Sequence, residues 1–125
     1  MRRKALAELI GSLLLAAVVV GSGIAAQRLS PTDPGLQLLE NALATGAGLV
    51  ALILALGPVS GAFNPVVTIA ERCYGLLTSA QAGLLIAVQV VGCCLGAVLA
   101  NLMWDLPAVT ISAHDRLSGG RCLAE

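Results

Sequence analysis

The sequence GPVSGAFNPVVTIAERCYG, residues 57–75, is too apolar for a water-exposed loop and too broken for one continuous helix. Its first five residues include two glycines, a proline and a serine, which oppose a regular helix and leave backbone groups unpaired. At membrane depth, unpaired backbone is tolerated only beside protein or a water-filled cavity. This stretch is therefore predicted to line a pore.

A short helix is predicted inside this stretch. Asn64 is a favourable N-cap, Pro65 suits the first helical position, and Gly75 stops the helix after about Cys73. Such a helix is about 13 Å long, less than half of a hydrocarbon core of about 30 Å. Because the charged far end, which begins at Glu71, favours the interface, the Asn64 end is expected to point toward the middle of the membrane.

The Asn64 end of this helix has a distinctive electrostatic character. A helix N-terminus presents unpaired N–H donors and roughly half a positive charge, and the Asn64 amide adds one more donor. Such a site offers hydrogen bonds to the oxygen of a neutral solute and repels cations. Half-helices in transporters with inverted repeats are arranged in this way.

Three apolar segments flank this stretch, at residues 5–26, 36–56 and 79–103, and each is long enough to span a bilayer. The chain is 58% hydrophobic and 11% charged, which is too apolar for a soluble domain. The first segment exceeds a signal-peptide core, so we expect it to remain as a helix. The predicted fold class is an all-α membrane protein with three transmembrane helices plus one re-entrant half-helix.

The distribution of Lys and Arg predicts the orientation of the chain in the membrane only weakly. With the N-terminus inside, the count is four against three: Arg2, Arg3, Lys4 and Arg72 on the cytoplasmic side, and Arg28, Arg116 and Arg121 on the other. The N-terminal cluster favours this orientation. Residues 106–125 are predicted to be a polar, aqueous tail.

Small residues repeat every four positions in the third span, at Gly92, Gly96 and Ala100. Such a face allows another helix backbone to approach closely. The sequence predicts that this face needs a partner helix, and that a single chain leaves it without one.

The cysteines and the charge balance exclude other classes of site. Cys73, Cys93, Cys94 and Cys122 form no CxxC pair and have no metal-ligand spacing to His114, so no metal is expected. The adjacent pair inside the third span is expected to pack against a neighbouring helix. Seven basic residues balance seven acidic ones, and one Trp, one Tyr and one Phe offer no stacking platform, which excludes nucleic acid as a partner.

Three motifs now resemble one family in order and spacing. SGAFNPVVT at 60–68 looks like the first Asn-Pro-Ala loop of the aquaporin, or major intrinsic protein, family, with Val66 in the usual place of Ala. AELIGS at 7–12 is similar to the first-helix pattern of that family, and QVVGCCLG at 89–96 is similar to its third-helix pattern. Together they cover most of residues 5–104.

The resemblance implies roles for individual residues. Glu8 would hold the loop backbone and Gln89 would support the same loop, whereas an interfacial charge and a simple interhelical hydrogen bond are the alternatives. For Asn64 the alternative is an ordinary N-cap. The implied pore-lining or solute-contacting residues are Thr45, Gly61, Ala62, Phe63, Asn64, Pro65 and Val66.

Two departures from the family pattern bear on these roles. Ala62 runs straight to Phe63, one residue shorter than in family members, which predicts a displaced Asn64. Thr45 falls near the second-helix position of the selectivity constriction, which is often aromatic in water-selective members. A small residue there favours small neutral solutes such as glycerol or undissociated arsenite.

The family has six spans and two half-helices, and this chain carries one set. Residues 1–105 therefore resemble half of an aquaporin-like six-helix bundle, and residues 106–125 resemble the connection to a missing fourth helix, which Ala124 and Glu125 would open. The constriction arginine belongs to the missing loop, so no residue takes that role.

The predicted function is a channel in the cell membrane, multi-pass and homo-oligomeric, for water or small neutral solutes. The pore would be completed by a second half-channel chain or an inverted copy of this one. No nucleophile with a base, metal cluster or phosphate loop is present, so neither an enzyme nor a cofactor is expected. The alternatives are a non-conducting truncated fragment and a small structural membrane subunit.

Overall fold

A computed structural model describes residues 1–111 of the chain. It contains four helices in this part: α1 (Arg2–Leu29), α2 (Pro34–Leu56), α3 (Pro65–Cys73) and α4 (Ser79–Met103). The first, second and fourth are long and apolar enough to cross a membrane. The predicted all-α membrane fold is therefore confirmed. The predictions that concern His114, Cys122 and the rest of residues 112–125 lie outside the described residues.

Local sequence accounts for where α2 and α4 begin. Pro34 occupies the first turn of α2, and Asp33 Oδ1 accepts a hydrogen bond of 3.0 Å from the backbone N–H of Leu36. At the start of α4, the Thr78 hydroxyl oxygen accepts from Gln81 N, and Gln81 Oε1 accepts from Thr78 N. Both arrangements satisfy backbone donors that a helix start leaves free.

The small-residue face of α4 packs against α1. A Cβ on Gly92 would lie 3.1 Å from the Leu13 backbone nitrogen, and one on Gly96 would overlap the Leu13 carbonyl oxygen. Ala100 is also fully buried. Glycine permits this close approach because it has no side chain to separate the backbones. The prediction that a single chain leaves this face without a partner is wrong: α1 of the same chain covers it.

The adjacent cysteines differ in their surroundings. Both are exposed on the described part of the chain. Cys93 Sγ lies 3.9 Å from the Ser12 carbonyl oxygen on α1, and within residues 1–111 Cys94 makes no such contact. Cys93 therefore contacts a neighbouring helix, while the expected packing of Cys94 stays a prediction.

Helix α2 packs antiparallel to α1 on the other side. Asn41 Nδ2 donates hydrogen bonds of 2.9 Å to the Val19 carbonyl and to Ser22 Oγ. Nearer the turn, the Ser30 hydroxyl donates to Glu40 Oε1 at 2.9 Å. None of the α2 residues is fully buried within the described chain.

The directions of the helices place three helix ends at the same end of the bundle. Ala5, near the start of α1, packs against a cluster of Leu77, Ala82 and Leu85 at the start of α4, so α1 and α4 run parallel. Because α2 is antiparallel to α1, the segment between α2 and α4 begins and returns at the same end of the bundle. We call this the loop end. At the opposite end, Arg28 Nη2 donates to the Trp104 carbonyl at 2.7 Å and its guanidinium lies 5.0 Å from the Trp104 ring centroid.

Candidate functional site

The carboxylate of Glu8 gathers hydrogen bonds from the loop between α2 and α3. Its Oε1 accepts from Ser60 Oγ at 2.6 Å and from the Ala62 N–H at 2.9 Å. Its Oε2 accepts from the Phe63 N–H at 2.7 Å and from Gln89 Nε2 at 2.8 Å. Glu8 is fully buried. One side chain of α1 therefore joins the loop and α4.

The chemistry of these four contacts suits an ionised carboxylate. A carboxylate has acceptors only, with about four lone-pair sites, and each of the four partners around Glu8 is a donor. Burying such a charge is costly unless it is well hydrogen-bonded, and hydrogen bonds to a charged acceptor are stronger than neutral ones. The arrangement fixes the backbone of residues 60–63 against α1.

Gln89 joins this network to the short helix. Its Nε2 also donates to Thr68 Oγ1 at 2.8 Å, and the Thr68 hydroxyl donates to the Asn64 carbonyl at 3.3 Å. Gln89 and Thr68 are both fully buried. Within the described residues, Gln89 Oε1 and the nearby Ser12 hydroxyl have no hydrogen-bond partner. The Gln89 amide thus holds α3 and Glu8 in a fixed relation through its donor side.

The Phe63 side chain packs the loop against the backbone of α1. Its φ of 46° lies in the left-handed region, which is strained for a residue of this size. The ring is 3% exposed and lies against Gly11, where any Cβ would overlap it. The Phe63 ring is buried behind the loop against Gly11, so the solute contact implied for Phe63, which stays a prediction, cannot come from this ring in the described chain.

The start of α3 has the geometry expected of a capped helix. Asn64 has an extended φ of −150°, its Oδ1 accepts from the Val66 N–H at 2.9 Å, and Pro65 follows in the first turn. Because Oδ1 is used by the cap, the Nδ2 group remains as the free donor. Asn64 and Val66 are exposed on the described chain, while Gly61 and Ala62 are half-buried. Despite the shorter turn, Asn64 still caps α3.

Thr45 lies apart from these residues. It is half-buried on α2, which makes no packing contact with α3 in the described part of the chain. Its hydroxyl is buried without a hydrogen-bond partner there. The structure therefore brings together Glu8, Gln89 and the loop with Asn64, but it does not bring Thr45 to them.

Three residues of the network were missed as functional candidates in the sequence. The sequence indicates Ser60 only as one of the residues that oppose a regular helix, whereas its hydroxyl donates to Glu8. Thr68 follows Asn64 by one helical turn, a spacing that puts its hydroxyl near the Asn64 carbonyl. Gly11 follows Glu8 by three residues on the same helix face, and this spacing was the available signal.

Comparisons with known proteins agree on one family. The model of the family described as major intrinsic protein matches residues 1–121. The chain is 44% identical over 124 residues to Aquaglyceroporin AqpS of Rhizobium meliloti (strain 1021), covering 98% of this chain and 53% of that protein. It is 31% identical over 117 residues to Probable aquaporin NIP7-1 of Arabidopsis thaliana, covering 93% of this chain and 42% of that protein.

The length covered in these relatives is partial. The chain spans about half the length of the curated relatives that it matches. No solved structure matches it. The geometry around Glu8 and Asn64 therefore describes one half of what the relatives contain.

Proposed function

Because the chain belongs to the major intrinsic protein family, we propose that it forms one half of a membrane pore for water or small neutral solutes. The family is one of channels rather than enzymes, and the chain is an integral membrane protein with three spanning helices. A relative named as an aquaglyceroporin supports solutes of glycerol size, and undissociated arsenite has the same small, neutral, hydroxylated character.

The hydrogen-bond network around Glu8 is the observation that carries this proposal. It holds residues 60–63 in a non-helical conformation, and Asn64 begins α3 directly after them. The N–H groups at this helix start and the Asn64 Nδ2 group are donors with a partial positive field. The oxygen of a neutral solute accepts from these donors, while a cation meets an unfavourable field.

We assign the solute path to the exposed side of the loop. Its lining would be the backbone of Gly61, Ala62 and Phe63, with the side chains of Asn64, Pro65 and Val66. Glu8 and Gln89 lie behind this surface and act by positioning it. Thr45 is assigned to a wider constriction, which needs neighbours from outside the described residues to complete it.

A second half is part of the proposal. Helix α3 contains nine residues and is therefore about 13.5 Å long, less than half of a hydrocarbon core of about 30 Å. The path that it lines ends near the midplane. A second half-channel chain or an inverted copy of this chain would continue the path, in an oligomer of such pores.

The two alternatives differ in their support. A small structural subunit was suggested by an uncovered glycine face on α4, and that face is covered by α1. The non-conducting fragment draws support from the chain spanning about half of its relatives. A flux measurement separates this second alternative from the half-channel.

Solute flux into liposomes that contain the purified chain tests the proposal. We expect rapid swelling in glycerol only from paired chains, identified by crosslinking. Flux from strictly monomeric protein would overturn the requirement for a second half. Absence of flux from every oligomeric form would instead support the fragment.

Asn64→Asp tests the solute contact within any conducting form. A carboxylate at the donor end of α3 is expected to lower glycerol flux at least about tenfold or to admit cations. The matched control is Gln81→Glu, which makes the same change of charge at the start of α4, where Glu also suits a capping box. Equal glycerol fluxes together with equal cation leaks from the Asn64→Asp variant and the control would remove Asn64 from the path.

A further inference from the structure

An apolar groove of about 380 Å³ lies at the loop end of the bundle, between the start of α1 and the end of α2. Five of its lining residues are apolar: Leu6, Ala7, Ile10, Leu56 and Val59. The sixth is Arg3, so the groove has a cationic group at one side and apolar walls on the others.

The first turn of α1, beside this groove, carries only basic charges. Arg2, Arg3 and Lys4 are all exposed, and the first turn of α1 contains no acidic residue. Its N-cap, Met1, makes no side-chain capping bond, so the N–H groups of that turn remain open to an anion. Glu8 is the only acid in α1 and is fully buried under four donors.

A second groove at the opposite end provides a contrast. It has a volume of about 410 Å³, lies between α1 and α4 near Trp104, and none of its lining residues is charged. The basic residue at that end, Arg28, is bound to the Trp104 carbonyl and stacked on its ring. Apolar walls and an unengaged cation therefore coincide at the loop end and not at this second groove.

We propose that the loop-end groove binds an anionic phospholipid, with one acyl chain along Leu6 and Ile10 and the phosphate at Arg3. Basic residues at a membrane surface attract anionic lipids, and an acyl chain is the apolar group that a bilayer supplies at this depth. The inference is independent of solute conduction. Because Val59 lines the groove and precedes Ser60, a lipid there also contacts the start of the loop that Glu8 holds.

Native mass spectrometry of the full delipidated chain in detergent tests this site. Phosphatidylglycerol and phosphatidylcholine with identical acyl chains are offered at equal concentration. We expect phosphatidylglycerol adducts to dominate, and Arg3→Gln to reduce them about fivefold, the effect of one basic residue at an anionic surface. Arg2→Gln is the matched control, since Arg2 carries the same charge but does not line the groove.

A second variant tests the acyl contact. Ile10 is 40% exposed, so Ile10→Trp is expected to fold normally, which circular dichroism checks. The larger Trp side chain is expected to fill the groove and to reduce the adducts of both lipids. Equal losses in Arg2→Gln and Arg3→Gln would overturn the site in favour of diffuse attraction. So would competition by soluble glycerol phosphate, adducts unaffected by Ile10→Trp, or an oligomer that takes up no phosphatidylglycerol because protein covers the groove.

Discussion

Helix α1 packs against α4 and the loop on one side and against α2 on the other, and the two interfaces are built differently. Toward α4, glycines bring the backbones together and the buried Glu8 accepts four hydrogen bonds. Toward α2, no α2 residue is fully buried, and the contact depends on side-chain hydrogen bonds from Asn41 and Ser30.

Both interfaces contain polar atoms with hydrogen-bond partners and buried polar atoms without them. All donors around Glu8 find an acceptor, whereas within residues 1–111 Glu40 Oε2 and Thr45 Oγ1 on α2 are buried without partners. Buried polar groups without hydrogen bonds are costly. Ser12 Oγ on α1 and Gln89 Oε1 on α4 are also buried without partners in residues 1–111, so neither interface is complete within one chain, and a further protein surface could satisfy the two groups on α2.

Substituting the carboxylate in each interface tests the difference between the two interfaces most directly. Glu8→Gln replaces acceptors by an amide whose NH₂ group faces donors, so at least one buried N–H loses its partner. We expect a decrease of about 3 kcal/mol in the free energy of unfolding. Glu40→Gln keeps an acceptor for Ser30, its one hydrogen-bonded partner in the described chain, and should change this free energy by less than about 1 kcal/mol.

Denaturant unfolding of both variants in detergent, followed by helicity, measures these changes. The rate of thiol labelling of Val59→Cys, measured in the Glu8→Gln background, reports whether the adjacent loop opens. Equal destabilisation by the two substitutions, with no faster labelling, would contradict the assignment of Glu8 as the residue that holds the loop.

The second test concerns the glycines. Gly96→Leu places a side chain where even a Cβ overlaps the Leu13 carbonyl, so α1 and α4 must separate, at a cost of about 2 kcal/mol or more. Gly46→Leu on α2 is the control, because nothing lies within 4 Å of a Cβ there and the gain in helix propensity is the same. The same unfolding measurement applies, and two equally stable variants would refute the close approach.

Much of the fold follows from local sequence rules. The three spans are visible as long apolar segments, and the short helix follows from Asn64 and Pro65 at its start and Gly75 after its end. These signals are local, because composition and capping act within a few residues. The small-residue repeat on α4 also correctly indicated a close helix contact.

The sequence left open which helix covers the glycine face of α4 and on which side of the loop the Phe63 ring lies. The glycine face of α4 could have met any helix, and only the parallel arrangement of α1 and α4 assigns it to α1. The family resemblance implied a solute contact at Phe63 without indicating where its ring lies. The positive φ of Phe63 and the space at Gly11 turn the ring behind the loop, and both depend on contacts between residues 52 positions apart.

The smallest expected effects differ in sign, and they compare Thr68, which is bonded to the Gln89 amide of the Glu8 network, with Thr45 on α2. Thr68→Val removes the acceptor of Gln89 Nε2 and should lower the free energy of unfolding by about 1 kcal/mol. Thr45→Val removes a buried hydroxyl that has no partner in the described chain, so it should be neutral or stabilising by up to about 1 kcal/mol. Both substitutions conserve side-chain shape, which makes hydrogen bonding the main difference between them. Denaturant unfolding of the isolated chain determines the sign of each change in the free energy of unfolding. The same measurement on crosslinked pairs tests whether a second half changes that sign. If a second half supplies a partner for the Thr45 hydroxyl, Thr45→Val becomes destabilising in the pair alone. An equal loss of stability for Thr45→Val in isolated chains and in pairs would show that its hydroxyl is already satisfied within one chain.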